Sequence, residues 1–202
     1  MLDVEKVRKL QADTIVYWHN APISMTGEGI YGTICRQHSF NFLLWHEEDI
    51  ARSKTATDFE IANVKRAIDR FNQQRNDWIE RIDDEIDSML VERGIRAVDG
   101  AKLHTETPGS AIDRLSIMAL RIYHLYEQLD RAGADKDHWN RVSERIVICE
   151  QQASHLAAAL STLLSEIQDG KVWHRTFRQF KMYNDPTMNP YLNGQIDSRR
   201  AA

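Results

Sequence analysis

Arg75 interrupts an apolar pattern in which every seventh residue from 61 to 89 is otherwise Ile or Met. This spacing predicts one face of a long helix packed against its neighbours. A guanidinium on that face loses hydration, and a carboxylate or a phosphate must offset the cost. The position therefore predicts either a structural bridge to a carboxylate, with Glu47 or Glu48 as the natural partner, or a site for an anionic ligand.

Acidic side chains fall on both faces of the helix predicted over about 36–52, and both faces carry apolar residues. The consecutive acids Glu47, Glu48 and Asp49 are consistent with a solvated acidic turn. They also provide hard oxygen ligands of the kind that divalent cations such as Mg²⁺ prefer.

His104, Glu106 and Thr107 form a third polar group, just before a helix that is apolar on nearly every side. A helix of this kind is expected at the centre of a bundle. Thr107 followed by proline is typical of a helix start, and a free helix N-terminus can hold an anion. A well-capped helix with no ligand explains the same residues. His104 and Glu106, just before this start, are the best candidates for general acid–base chemistry.

The elements that must position these residues are helices. Periodicity and capping signals predict an all-α antiparallel bundle of about five main helices with a short aromatic C-terminal segment. The helices are expected over 2–20, 36–52, 57–93, 108–131 and 135–169, and no strand pair is expected. Alternating spacings of three and four residues from Trp139 to Ile167 predict the longest seam. We expect one domain over 1–192 and a flexible tail over 193–202.

Composition narrows the function classes. The 202 residues are 42% hydrophobic and 28% charged, with a net charge of −4. These values are typical of a globular domain, and they argue against a nucleic-acid partner. No run of apolar residues is long enough for a membrane span, and neither a signal peptide nor a disulfide framework is expected. The protein is expected in the cytoplasm, with Cys149 as a buried core residue.

Metal-binding motifs are not apparent. The chain has no Glu-x-x-His pair of the di-iron type and no HExxH motif. His19, His46, His138 and His174 each stand alone in the sequence and are interpreted as packing or surface residues. No metal ligand is therefore predicted, and the identity of any cofactor is left open.

Three long blocks carry a resemblance to a known family: residues 38–80, the stretch LHTETPGSAIDRLSIMALRIYH, and FRQFKMYNDPTMNPYL. Together they resemble an uncharacterised bacterial all-helical domain-of-unknown-function family over roughly residues 5–192. The resemblance implies a small helical protein, often encoded near glycosyltransferases of cell-surface polysaccharide synthesis. It implies no catalytic residue.

The polar residues that interrupt the predicted core fall within the blocks that carry this resemblance. These residues form the candidate site. The candidate catalytic residues are His104, Glu106 and Asp113. The candidate ligand-binding residues are His38, Asn41, Trp45, Glu48, Asn72, Arg75, Asn76, Thr107, Arg114, Ser116, Lys181, Tyr183 and Asn184.

Three functions remain open. The first is a bundle that binds or processes a small anionic molecule, such as a sugar phosphate or nucleotide sugar, in one pocket formed by these blocks. The second is a non-catalytic partner of a glycosyltransferase, docking through Trp173, Phe177, Phe180 and Tyr183. The third is a metal-dependent nucleotide pyrophosphohydrolase using Glu47, Glu48, Asp49, Glu80 and Asp83. A homodimer is compatible with the first two.

Overall fold

Five helices form an all-α bundle in the computed structural model, which describes residues 2–192 and 194. The helices are α1 (Val4–Asn20), α2 (Ile30–Ala51), α3 (Asp58–Glu92), α4 (Pro108–Leu129) and α5 (Lys136–Gln168). Two short strands, β1 (Lys102–Leu103) and β2 (Val172–Trp173), and a 3₁₀ helix over Met182–Asn184 complete the fold. The predicted fold class is confirmed, while the tail expected over 193–202 lies outside the described residues except for Gly194.

The helix starts follow the capping signals of the sequence. At α3, the Thr57 side chain accepts from the backbone N–H of Glu60, and the Glu60 side chain accepts from the backbone N–H of Thr57. Thr107 and Ser110 form the same reciprocal arrangement at α4. Each box satisfies backbone donors that the first helical turn leaves without partners, so these helix starts are fixed locally.

Helix α4 is central, because it contacts all four other helices. The main core cluster includes Ile82 and Ile86 of α3, Ile112 of α4 and Leu160 of α5, which are almost completely buried. Along α5 the predicted seam is buried from Val142 onward, including Cys149, except that Leu156 is only partly buried. Helix α4 therefore fixes the positions of α2 and α3, whose polar residues concern the site.

Three details differ from the expectations. Helix α2 begins at Ile30 rather than near residue 36, and Trp139 at the start of α5 is 52% exposed. Strands β1 and β2 pair in parallel, although no strand pair was expected. Two-residue strands are too short to produce an alternating pattern, and these two meet only because the chain leaving α5 returns beside the α3–α4 connection.

The segment after β2 lies along α3 through polar contacts. Arg178 forms ion pairs with Glu80 and Asp84, and Asn184 donates to the Gln73 side chain. Within residues 2–192, no helix combines the length and the apolar character needed to cross a lipid bilayer.

Candidate ligand-binding site

A cavity of about 420 Å³ opens between α2, α3 and α4. Five of the predicted ligand-binding residues line it, and they come from two helices: Asn41, Trp45, Glu48, Asn72 and Arg75. The other lining residues are Leu44, Asp49, Arg52, Ile117 and Leu120. We call this cavity the α2–α3–α4 cleft. Six of these ten residues are polar or charged, and the other four provide apolar surface, so the cleft combines the two kinds of contact that small-molecule sites use.

Arg75 has a carboxylate neighbour below the cleft, but not the expected one. Its Nε lies 3.7 Å from Oδ1 of Asp113 on α4. Glu48 is instead paired with Arg52, the C-cap residue of α2, four residues later. The expectation of Glu47 or Glu48 as the partner was wrong, because the sequence does not show which carboxylate the central helix brings beneath α3.

The Arg75–Asp113 pair is incomplete. A separation of 3.7 Å is too long for a hydrogen bond, and Nε of Arg75 is buried with no hydrogen-bond partner among the described residues. The Arg75 side chain is 27% exposed and that of Asp113 only 10% exposed. The guanidinium therefore retains donor capacity beside the cleft.

Asp113 is held by neutral donors from α2. Nε2 of Gln37 donates to its Oδ1 at 2.6 Å, and Nδ2 of Asn41 donates to the same oxygen at 2.8 Å. Burial raises the pKa of Asp113 above its ordinary value, and Arg75, Asn41 and Gln37 oppose that shift. Gln37 was not predicted, although it lies one helical turn before Asn41 on the same face of α2.

His38 and Ser116 belong to a closed network under the cleft. His38 is completely buried, and burial lowers its pKa to about 3, so the ring is neutral near pH 7. Its Nε2 lies 3.1 Å from the carbonyl oxygen of Gln11 and therefore carries the proton. Nδ1 then accepts from the Ser116 hydroxyl, which also accepts from Asn41. These two residues support Asn41 and do not line the cleft.

A second cation lies near Arg75. Nζ of Lys181, in the C-terminal segment, is 3.4 Å from the carbonyl oxygen of Asn72. Partial burial, together with the positive charge of Arg75, lowers the pKa of Lys181. Of the other two residues predicted in this block, Asn184 contacts α3 and Tyr183 is exposed.

The N-terminus of α4 does not line the cleft, although it was expected in the same pocket. Glu106 accepts from Arg114 and from Ser110, and His104 is exposed and contacts the backbone of Glu106. Thr107 is engaged in its cap. None of these residues lines the cleft, and Asn76, which is buried on α3, does not line it either.

A buried carboxylate closes this N-terminus. Oδ1 of Asp83 on α3 accepts from the backbone N–H of Gly109 at 2.6 Å. A Cβ on Gly109 would lie 2.6 Å from the carbonyl oxygen of Ile79, so only glycine fits between the helices. Burial raises the pKa of Asp83 to about 6, against the hydrogen bonds from Thr107 and Gly109. We call this region the α3–α4 junction.

Three of the acids considered for a magnesium site have different partners in different parts of the fold. Asp83 is in the junction, Glu80 accepts from Arg178, and Glu48 is paired with Arg52. Among residues 2–192, the only group of three side chains with metal-ligand atoms close together is formed by His19, His46 and His124. The view that His19 and His46 stand alone was therefore wrong, because three helices bring residues distant in sequence together.

A larger cavity, of about 660 Å³, lies between α1, α4 and α5. Its charged rim is largely paired locally, since Arg8 contacts Glu5 and Lys9 contacts Asp13. No candidate residue lines it. The α2–α3–α4 cleft is smaller, but it has an incompletely paired cation and is the better candidate.

Residues 32–176 match the model of a family described as proteins of unknown function, DUF4254. The chain belongs to the DUF4254 family. The matched part of this DUF4254 chain contains every residue that lines the cleft, as well as Asp113 and the α3–α4 junction, whereas Lys181 lies beyond it. No curated protein and no solved structure matches the chain.

Proposed function

We propose that the α2–α3–α4 cleft binds a small anionic molecule, with a sugar phosphate or nucleotide sugar as the ligand class. The observation that carries this proposal is Arg75, whose Nε is buried without a hydrogen-bond partner in the part of the chain that the structure describes and lies 3.7 Å from Oδ1 of Asp113. An incompletely paired guanidinium is costly to bury, and an anion in the cleft would accept from the part of Arg75 that is exposed there.

Two further features support an anion. Lys181 has its pKa lowered in part by the positive charge of Arg75, so the two cations repel each other. A phosphate between them would relieve that repulsion. The negative charge of Asp113, 3.7 Å from Nε, partly balances the charge of Arg75 and helps to position the guanidinium.

The neutral lining suits the rest of a sugar-like ligand. Asn41 and Asn72 offer amide groups, and Trp45 offers an aromatic surface. The volume of about 420 Å³ is within the range of roughly 300–1,000 Å³ that is typical of small-molecule sites. Asp113 is the one candidate catalytic residue beside Arg75, and its raised pKa would suit proton transfer.

The test is isothermal titration of the full chain with glucose 1-phosphate, UDP-glucose, inorganic phosphate and neutral glucose. We expect binding of at least one phosphorylated compound and none of glucose. Arg75→Gln should weaken that binding about 10- to 100-fold, because a charge-assisted hydrogen bond contributes about 1.5–3 kcal/mol. Lys181→Gln should weaken it less.

Arg114→Gln is the matched control, because it removes an exposed arginine that is paired with Glu106 outside the cleft. It should leave binding unchanged, and far-ultraviolet circular dichroism verifies the fold of each variant. If no phosphorylated compound binds, and Arg75→Gln changes only the stability, then the Arg75–Asp113 pair is a structural bridge and the proposal is wrong.

The exposed aromatics of the C-terminal segment favour a second candidate, a docking role on a glycosyltransferase. Phe177, Phe180 and Tyr183 are each more than half exposed. Aromatic side chains dominate the binding energy of many interfaces. Co-purification with such an enzyme, lost in a Phe177→Ala/Phe180→Ala variant, would support this role, and retention of the complex by the variant would contradict it. The pyrophosphohydrolase has no comparable observation, and we do not propose it.

A further inference from the structure

Three histidines from three helices meet at one end of the bundle, outside the network that holds Asp113. His19 lies in the last turn of α1, His46 near the end of α2, and His124 in α4. One potential ligand nitrogen from each ring lies within 4.8 Å of the other two. The ring centroids are 5.2–5.7 Å apart, and all three residues are half-buried.

Two of the rings hold a free nitrogen in the buried interior. Nδ1 of His19 lies 2.8 Å from the carbonyl oxygen of Ile15, which can only accept, so Nδ1 carries the proton and Nε2 is left with a lone pair. Nδ1 of His124 lies 2.7 Å from Oε2 of Glu127, which orients that ring in the same way. Both Nε2 atoms are buried and have no hydrogen-bond partner among the described residues.

A lone pair on a buried nitrogen without a donor is an unfavourable arrangement, and structures rarely keep one without a reason. A histidine that binds a metal through one nitrogen nearly always donates its other N–H to a carboxylate or a backbone carbonyl. His124 with Glu127 and His19 with Ile15 are one example of each. The hydrogen bonds therefore prepare both rings for coordination.

Aromatic packing alone does not explain these free nitrogens. His19 stacks on Tyr123, and His124 stacks on Trp45 with an interplanar angle of 10°. Phe42 contacts both His19 and His46. This shell holds the rings in place, which a coordination site requires, but it offers no donor to either Nε2.

The electrostatic surroundings favour the neutral form of His46, and a neutral imidazole is the form that binds metals. Burial lowers the pKa of His46, and His19 and His124 lower it further, while Asp49 and Glu127 act in the opposite direction. A cavity of about 380 Å³ reaches His124 and is lined by Asp49, Arg121 and Glu127. The cavity meets the cluster at His124, and Asp49 and Glu127 place two carboxylates in its wall.

We propose that His19, His46 and His124 form a site for a divalent transition metal, with Zn²⁺ as the best fit and Glu127 as a positioning residue. Three imidazoles and one open position are a ligand set of tetrahedral zinc sites, and Co²⁺ and Ni²⁺ accept the same donors. At Zn–N distances of about 2.0–2.1 Å the three nitrogens lie closer together than the 4.8 Å limit, so small ring rotations complete the site.

The test uses the full chain without a polyhistidine tag, treated with a chelator and titrated with ZnCl₂. We expect one Zn²⁺ per chain, and X-ray absorption of the complex should show nitrogen ligands at about 2.0–2.1 Å with imidazole scattering. Addition of Co²⁺ should produce the intense visible bands of a tetrahedral ion. Both readouts are independent of any activity and of ligand binding in the cleft.

His46→Gln should weaken Zn²⁺ binding at least 100-fold and abolish the tetrahedral Co²⁺ spectrum, and Glu127→Gln should weaken binding about 10- to 100-fold. His155→Ala is the control, because His155 is exposed on α5 and does not belong to the three-histidine group. His124→Gln provides a second variant if His46→Gln fails to fold. Absence of stoichiometric binding by the parent chain, or equal losses in the control, would overturn the proposal.

Discussion

Asp83 and Asp113 are both buried carboxylates between α4 and a neighbouring helix, and burial raises the pKa of each. Their surroundings nevertheless differ. Asp83 accepts a short hydrogen bond from a backbone N–H in a junction where no atom larger than hydrogen fits on Gly109. Asp113 lies beside an arginine that it satisfies only in part, next to a cavity of about 420 Å³.

This comparison separates a charge that completes a fold from one that remains available to a ligand. In the α3–α4 junction the polar groups satisfy one another, because Thr107, Ser110 and Glu106 all have partners there. In the α2–α3–α4 cleft, Nε of Arg75 has none among the described residues. Incomplete partnering, and not burial alone, is therefore the feature on which the proposed site rests.

The largest loss of stability is expected from a substitution in the α3–α4 junction. Gly109→Ala places a Cβ 2.6 Å from the carbonyl oxygen of Ile79 and 2.8 Å from Oδ1 of Asp83. We expect a loss of about 3 kcal/mol in the free energy of unfolding, since overpacking against backbone cannot be relieved by a side-chain rotation. Urea denaturation measures it. A loss below about 1 kcal/mol would show that the junction is looser than described.

The next largest loss of stability is expected from a substitution beside the α2–α3–α4 cleft. Asp113→Ala leaves Arg75 without its carboxylate and removes the acceptor of Gln37 and Asn41. We expect a loss of about 2–3 kcal/mol of stability, because buried donors lose their partner. In contrast to Gly109→Ala, this change should also weaken binding of a phosphorylated ligand, as titration of the folded variant would show. Unaltered binding would contradict a positioning role for Asp113.

The junction should also produce a distinctive pH dependence. The folded pKa of Asp83 is about 6 against an ordinary 3.8, so the native state binds more protons than the unfolded state between those values. The stabilisation is present below about pH 4 and is lost as the pH rises through about 6, with a magnitude of about 2–3 kcal/mol.

Asp83→Asn removes this titration and keeps an acceptor for Gly109. The stability of the parent chain relative to Asp83→Asn should therefore fall from pH 4 to pH 7, as denaturation curves at several pH values would measure. Parallel pH profiles for the two proteins would refute the assignment.

The smallest effect is expected at the surface pair of the junction. Arg114 is 57% exposed in its ion pair with Glu106, so solvent screens the interaction. Arg114→Gln should change the free energy of unfolding by less than about 1 kcal/mol. A larger loss would mean that the α4 N-terminus depends on this charge more than on its caps.

Local sequence signals were sufficient for most of the fold. The capping residues Thr57 and Thr107 placed two helix starts within one residue, because caps act through neighbouring backbone groups. The start of α2 was missed: Gly29, its N-cap residue, offers no side-chain cap. The β1–β2 pair was missed because its strands are two residues long and their pairing is set by tertiary contacts.

The candidate site was only partly accessible to the same reasoning. Periodicity found Arg75 and Asn41, which line the cleft, and it grouped them with His104 and Glu106, which do not. It did not identify Gln37, and it interpreted His19 and His46 as isolated packing or surface residues, although they meet His124 in the fold. Helical spacing shows which residues share a face of one helix, but the relative rotation and axial offset of different helices depend on the packing of the whole core.

The sequence by itself determined that this chain forms a helical bundle with charges on buried faces, because helix formation, capping and amphipathicity depend on residues a few positions apart. Only the tertiary structure decided how those charges are partnered. It placed Asp113 rather than Glu48 beneath Arg75, put Asp83 against Gly109, and brought His19, His46 and His124 together. Partnering depends on distances of a few ångströms between helices, and those distances are a property of the packed core.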